Sequence, residues 1–326
     1  MTPDVVCLRP EADFVNVGVT PPTSLSIAYR TPDDAALADL IRVARAVVIP
    51  AVGPALAADL FAGSAVKLVQ VTGAGVDRLD AVAMKELGIA VCNVVGGSNE
   101  TVAEYAVAGA LLLLRRLAWA DHEIRVGNYT TFRARMVADS LRGIDGLTIG
   151  IVGFGNIGAS VARAFRCLGA DIVLHDPATP DPAVVDELHA TPLPLDELLA
   201  VADVVTLHVP LLPETRGLLG RRELALMKPD AILVNAARGG VVDESALAEA
   251  LAADRLGGAA IDVYDGEPPD SSNPLFALDG AAARRVLFTP HIAGVSRQSW
   301  ARLFRAAWDN VEDVVLRGQA PRCRVY

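Results

Sequence analysis

Short apolar runs alternate along this chain with longer stretches in which apolar residues recur every three or four positions. The runs VVCL (Val5 to Leu8), AVVI (Ala46 to Ile49), KLVQV (Lys67 to Val71) and IAVCN (Ile89 to Asn93) lack the regular polar alternation of a half-solvated strand. They predict strands covered on both faces, as in a parallel sheet under helices. Pro32 to Ala44 and Asp80 to Leu87 supply helical stretches between them. A second block starts near Leu147 and repeats the alternation, with strands near residues 149, 172, 204, 231, 259 and 286. Two such blocks predict an α/β protein. Glu100 to Leu117 reads as a long helix between the blocks. Gln298 to Leu316 aligns Trp300, Leu303, Phe304, Ala307, Trp308, Val311 and Val315 on one helical face, which suits a last helix crossing back to the first block.

The second block opens with TIGIVGFGNIG (Thr148 to Gly158), where a strand runs into Gly153, Gly155 and Gly158 at G-x-G-x-x-G spacing. Gly153 permits the tight turn, Gly155 lets backbone approach a pyrophosphate, and Gly158 lets the next helix pack close. That helix then aims free N–H groups at phosphates. Such a turn alone is as often structural as nucleotide-binding, and here the context decides. A second strand, DIVLHD, ends at Asp176, 18 positions after Gly158, where a carboxylate accepts from adenosine ribose hydroxyls. Pro177, Ala178 and Thr179 follow, with no Arg or Lys for a 2′-phosphate. The expected cofactor is therefore NAD rather than NADP.

Composition narrows the class. The 326 residues exceed the usual length of one domain, about 100 to 200 residues. Hydrophobic residues make up 52% and aromatics only 5%, the Ala, Val and Leu content that doubly covered strands need. A net charge of −10 without a Lys/Arg stripe argues against nucleic acid. Cys7, Cys92, Cys167 and Cys323 are far apart, which points to reduced thiols in the cytoplasm and to no bound metal. No basic-then-apolar leader opens the sequence, and the apolar run from Tyr105 stops at Arg115. No membrane partner is expected.

Three ionisable residues each sit just beyond a strand-like run: Arg238 after AILVN (Ala231 to Asn235), Glu267 after GGAAIDVY (Gly257 to Tyr264) and His291 after RVLF (Arg285 to Phe288). Singly, each is as readily a surface ion pair, a solvated loop carboxylate or a capping histidine. Their surroundings carry more: HVPLLPETRGLLG (His208 to Gly220), NAARGGVVDESALAEAL (Asn235 to Leu251), AAIDVYDGEPP (Ala259 to Pro269) and TPHIAG (Thr289 to Gly294). With TIGIVGFGNIG, these motifs in this order resemble the NAD-dependent D-isomer-specific 2-hydroxyacid dehydrogenases over nearly the whole chain. The resemblance implies a Rossmann-type dinucleotide-binding domain, residues 101–295, inserted into a flavodoxin-like substrate domain made of residues 1–100 and 296–326. It also implies a homodimer.

The same resemblance assigns roles. Arg238 binds substrate, Glu267 is the partner carboxylate, and His291 is the acid/base. Reduction of a 2-keto acid puts hydride on carbon and a proton on oxygen, so an imidazolium suits the proton donor. A carboxylate on its far nitrogen fixes the ring, and a planar guanidinium fork suits the substrate carboxylate. Asn156 and Ile157 are implied at the pyrophosphate turn, Val209 beside the adenosine, Ala236, Asp262 and Gly294 near the nicotinamide, and Thr101 near the phosphates. Glu104 is implied as a structural hinge. VTGAGVD (Val71 to Asp77) matches the loop whose main-chain N–H groups at Ala74, Gly75 and Val76 receive the substrate carboxylate. On the residues alone, that loop is equally an ordinary strand-to-helix turn.

Members acting on 3-phosphoglycerate tend to carry arginines on first-block loops, whereas IPAVGPA (Ile49 to Ala55) and VQVTGAG (Val69 to Gly75) have none. The expected substrate is a small unphosphorylated 2-keto or 2-hydroxy acid of D configuration, such as glyoxylate or hydroxypyruvate. Arg133 or Arg135 remains a candidate to reach a substrate across a dimer. The alternatives are a phosphoglycerate or phosphite dehydrogenase, or an NAD-sensing corepressor-like interaction protein.

Overall fold

The apolar runs fold as two separate parallel sheets in the computed structural model, which describes residues 2–326. The chain divides into Met1–Ser98 with Val295–Tyr326 (unit 1) and Asn99–Gly294 (unit 2).

In unit 1, β1 (Val5–Cys7), β2 (Ile27–Tyr29), β3 (Ala46–Ile49), β4 (Leu68–Val71) and β5 (Ala90–Cys92) pair in the order β2-β1-β3-β4-β5. This is the flavodoxin-like order. Every residue of β1, β3, β4 and β5 is buried, which explains why their sequences are apolar on both faces. The half-buried edge strand β2 was not foreseen, because three residues beside a Pro- and Ser-containing stretch give no periodic signal. The helix expected from Pro32 begins only at Leu37, since Asp34 Oδ1 accepts from Ala36 N and makes a turn ahead of it. The final helix, Arg297–Val315, returns to this unit. Its residues Leu303, Phe304, Ala307, Trp308, Val311 and Val315 join Phe14, Val17, Val48 and Leu68 in one core. Phe14 lies 4.7 Å from the Phe304 ring and 5.3 Å from that of Trp308, centroid to centroid.

In unit 2, the strands are β6 (Thr148–Val152), β7 (Asp171–His175), β8 (Thr191–Pro192), β9 (Val204–Leu207), β10 (Ile232–Asn235), β11 (Gly258–Ile261) and β12 (Val286–Phe288). They run parallel in the order β12-β11-β10-β9-β6-β7-β8. The order reverses between β6 and β9, and ligands of such sheets bind in the crevice beyond the carboxyl ends of the strands at that point. The long helix Asn99–Leu114 covers one face beside the helix Asn156–Arg166. A Cβ at Gly109 would stand 3.1 Å from the Ala260 Cβ, so the long helix lies close on β11. Two helices, Leu117–Arg125 and Tyr129–Ala138, were not anticipated, because polar residues interrupt their apolar spacing. Among the described residues, no helix is long and apolar enough to cross a membrane. Among the described residues, no group of three or more His, Cys, Asp or Glu could hold a metal ion.

Candidate active site

Beyond β6, the chain turns at Gly153 with φ 90°, a conformation that favours glycine. A Cβ there would lie 2.6 Å from His208 O and 2.8 Å from Val209 Cγ1, so Val209 packs over the turn. A Cβ on Gly158 would stand 2.1 Å from Gly153 O, which is how the helix Asn156–Arg166 sits back against the loop. Gly155 differs: its Cβ would meet nothing within 4 Å. Open space therefore lies ahead of a helix whose N-terminus has no side-chain cap. An uncapped helix start beside an open glycine fits a dinucleotide pyrophosphate. Asn156 and Ile157 occupy its first turn, and Asn156, Gly155, Arg163 and Asp181 line a cleft of about 500 Å³.

Asp176 ends the β7 run. Its Oδ2 accepts from Phe154 N at 2.6 Å and its Oδ1 from Ala178 N at 2.8 Å, which ties the carboxylate to the glycine turn. Each oxygen keeps a further acceptor site for a ribose hydroxyl. Thr101 is buried in the first turn of the long helix, and Glu104 is exposed.

The ionisable trio stands at the carboxyl ends of three neighbouring strands, β10, β11 and β12. After β10, Asn235 Oδ1 accepts from Ala237 N, and Arg238 Nη1 donates to Ala237 O at 2.7 Å. Ala236 is half-buried in the same turn. A Cβ on Gly239 would lie 1.7 Å from Tyr264 O, so this turn packs against the segment after β11. There, Glu267 Oε1 accepts from Tyr264 N at 3.1 Å, and Oε2 lies 2.7 Å from His291 Nδ1. Burial works against the Glu267 anion, but the His291 hydrogen bond and charge, the Tyr264 N–H and Arg238 together hold its carboxyl below the ordinary range. His291 has φ 54°, a left-handed backbone uncommon outside glycine.

The loop after β12 is held by Asp262. Its main-chain oxygen accepts from His291 N at 2.8 Å. Its Oδ1 accepts from Thr289 Oγ1 (2.6 Å) and Ile292 N (2.8 Å), and its Oδ2 accepts from Ala293 N (2.8 Å). Asp262 is completely buried. Tyr264 adds an O–H bond to Thr289 O at 3.0 Å, and half-buried Gly294 closes the loop. Thr289 and Tyr264 support the loop of the histidine without a signal in the sequence. Thr289 precedes Pro290 in TPHIAG, but only the fold shows which carboxylate its hydroxyl meets.

In unit 1, the residues Ala74, Gly75 and Val76 follow β4. Among the described residues, their N–H groups donate to no backbone acceptor, while Ala74 O accepts from Asn93 Nδ2 at 2.7 Å. The loops quoted above contain no basic residue, yet the structure brings Arg78 to one of them. Arg78 is 4% exposed and donates from Nε to Pro54 O (2.8 Å) and from Nη1 to Pro50 O (3.0 Å). Arg9 reaches Thr72 Oγ1 at 3.2 Å and is paired with Asp13 at 2.8 Å. In unit 2, Arg135 lies over the Trp119 ring at 4.7 Å and 3.7 Å from Asp139, whereas Arg133 is exposed.

A family model described as "D-isomer specific 2-hydroxyacid dehydrogenase, NAD binding domain" matches residues 107–293. The chain is 38% identical over 233 residues to a D-3-phosphoglycerate dehydrogenase of Archaeoglobus fulgidus, covering 72% of this chain and 42% of that protein. It is 38% identical over 239 residues to an (S)-sulfolactate dehydrogenase of Chromohalobacter salexigens, covering 73% and 74% respectively. Among solved structures, apo D-mandelate dehydrogenase of Rhodotorula graminis aligns with a TM-score of 0.81 at 26% identity, over 100% of this chain and 98% of that one.

Proposed function

The chain belongs to the D-isomer specific 2-hydroxyacid dehydrogenases, and on that premise we propose that it interconverts a small unphosphorylated 2-keto acid and its D-2-hydroxy acid. NAD is the cofactor, and when bound it supplies or accepts the hydride. The observation that carries the reading is the 2.7 Å bond between His291 Nδ1 and Glu267 Oε2 at the carboxyl edge of the sheet that begins with the glycine turn. With Nδ1 committed to Glu267, the ring's other nitrogen, Nε2, is the atom that holds the proton for the keto oxygen. The Glu267 carboxylate fixes the orientation of the ring. Arg238 binds the substrate carboxylate and draws charge from the keto oxygen. The N–H groups of Ala74, Gly75 and Val76, which donate to no backbone acceptor among the described residues, are assigned to a substrate carboxylate. Gly153, Gly155, Asn156, Ile157 and Gly158 are assigned to the pyrophosphate, Asp176 and Val209 to the adenosine side, and Ala236, Asp262 and Gly294 to the nicotinamide side. Thr101 is assigned to the phosphates.

For the substrate, the support is the absence of a basic residue from Ile49–Ala55 and Val69–Gly75, together with the engagement of Arg78 and Arg9 by groups of their own chain. The phosphoglycerate relative favours a second reading, a phosphorylated substrate. Steady-state assays with NADH and NADPH across glyoxylate, hydroxypyruvate, other 2-keto acids and phosphohydroxypyruvate separate the two. A higher kcat/KM for phosphohydroxypyruvate would reverse the substrate assignment. We further assign the protein to the cytoplasm as a homodimer. The exposed Leu117, Ile124, Val126, Tyr129 and Val137 on the helices Leu117–Arg125 and Tyr129–Ala138 and their connection support an apolar contact surface there. Light scattering that reports a 34.1 kDa particle would contradict the dimer.

A further inference from the structure

The loop that carries His291 hangs on one buried carboxylate, and that carboxylate is the middle of a longer chain of hydrogen bonds. Tyr105, in the second turn of the helix Asn99–Leu114, has its hydroxyl 2.7 Å from Thr289 Oγ1. Thr289 Oγ1 in turn donates to Asp262 Oδ1 at 2.6 Å. A hydroxyl has one proton to give, and Thr289 gives its own to Asp262. Tyr105 is therefore the donor in the first link. The direction of each link is fixed: the phenol donates to the threonine hydroxyl, the threonine hydroxyl donates to the carboxylate, and the carboxylate also accepts from the N–H groups of Ile292 and Ala293. Burial, reinforced by Asp262 and Tyr264 and partly opposed by the bond to Thr289, raises the Tyr105 phenol above its ordinary range, so it keeps its proton to donate.

We infer that Tyr105 is a positioning residue for His291, acting through Thr289 and Asp262. The inference rests on the acid/base reading of His291 given above. The physical argument starts from the backbone. A non-glycine residue at φ 54° persists only where its surroundings over-determine it. Here three N–H groups, those of His291, Ile292 and Ala293, converge on Asp262. Asp262 has no guanidinium or ammonium bonded to it among the described residues, so its orientation depends on the donors that surround it. Thr289 is the one side-chain donor among the described residues, and its hydroxyl is held between Tyr105 and Asp262. Hydrogen bonds in series polarise one another in a buried setting, so losing the outer link weakens the inner one. The consequence falls on the placement of the imidazole, because the N–H groups that Asp262 holds belong to His291 and the two residues after it.

The test uses the whole chain and the variants Tyr105→Phe, Thr289→Val, Thr289→Ser and the double variant Tyr105→Phe/Thr289→Val. Tyr105→Phe keeps the ring and removes only the donor. It should lower kcat for keto-acid reduction by about five- to fifty-fold, the scale of a slightly misplaced reacting group. KM for the keto acid should stay within about twofold, as for a loss confined to the transition state. Thr289→Ser should retain most activity because it keeps the relay hydroxyl. The double variant should be no worse than Thr289→Val, since serial links do not add. Amide hydrogen exchange at Ile292 and Ala293 should quicken in Tyr105→Phe, a readout independent of turnover. Unchanged kcat in Tyr105→Phe, additive losses in the double variant, or unchanged exchange would each overturn the inference. A wild type inactive on every keto acid would instead overturn the acid/base reading, and the exchange measurement would still decide whether the relay holds the loop.

Discussion

His291 occupies a backbone conformation that costs on the order of 1–3 kcal/mol for a non-glycine residue, and its ring is tied to Glu267. If the ring is the proton donor, His291→Asn should lower kcat by about 10²- to 10⁴-fold while NADH binding, read by fluorescence, persists. Glu267→Gln should cost less, because it keeps an acceptor for Nδ1 and loses only the charge. A second histidine makes a separate prediction about pH. Desolvation pushes the His208 imidazole from 6.5 down to about 3, with Nε2 2.8 Å from Thr206 Oγ1. The folded ring therefore refuses a proton that the unfolded chain accepts once the pH falls below 6.5. Its stabilising effect is complete above that value and drains away as the pH drops toward 3. Urea midpoints measured across this range should fall more steeply in the wild type than in His208→Gln, and parallel curves would refute the assignment. His291, Glu267 and Arg238 were legible as residues because each follows a strand-like run inside a long motif. His208 stands in such a motif too, but its desolvation is a property of packing and left no trace in the sequence.

The glycine turn and the helix behind it behave as one element, and its three glycines are not equivalent. A methyl at Gly158 would stand 2.1 Å from a carbonyl oxygen, so Gly158→Ala must move backbone. It should cost about 1–3 kcal/mol of stability, read as a lower thermal midpoint without cofactor. A methyl at Gly155 meets nothing within 4 Å. Gly155→Ala should leave the midpoint alone and weaken NADH binding by about tenfold or more, a loss on the order of 1.4 kcal/mol. Equal midpoint losses in both variants would remove the distinction between a packing glycine and a cofactor glycine. The spacing of the three was plain in the sequence, as were most strands of both sheets. The helices Leu117–Arg125 and Tyr129–Ala138 were not, because residues such as His122, Arg125, Thr130 and Arg133 break the apolar period.

At the scale of the molecule, unit 1 is discontinuous in sequence: its core takes Phe304, Trp308 and Val311 from a helix some two hundred residues beyond its last strand. Removing residues 295–326 should therefore expose Phe14, Val17 and Leu68 and unfold unit 1, while residues 99–294 keep their own core. Limited proteolysis of that truncated chain should digest residues 1–98 and spare 99–294, and survival of both would contradict the account. Within the intact chain, Trp308→Ala should cost about 3–5 kcal/mol. The sequence by itself determined the α/β class, the strand alternation, the phosphate-binding turn with its acidic strand end, and the motifs that identify the family. These depend on side-chain chemistry and short-range spacing, which a linear chain displays. Only the tertiary structure decided that Tyr105, Thr289 and Asp262 form one relay under His291, that Arg78 pins the Ile49–Ala55 loop, and that the last residues pair with β5 through Val91 and Tyr326. Those are contacts between residues 24 to 235 positions apart, and hydrogen-bond direction and burial exist only once the chain has closed on itself.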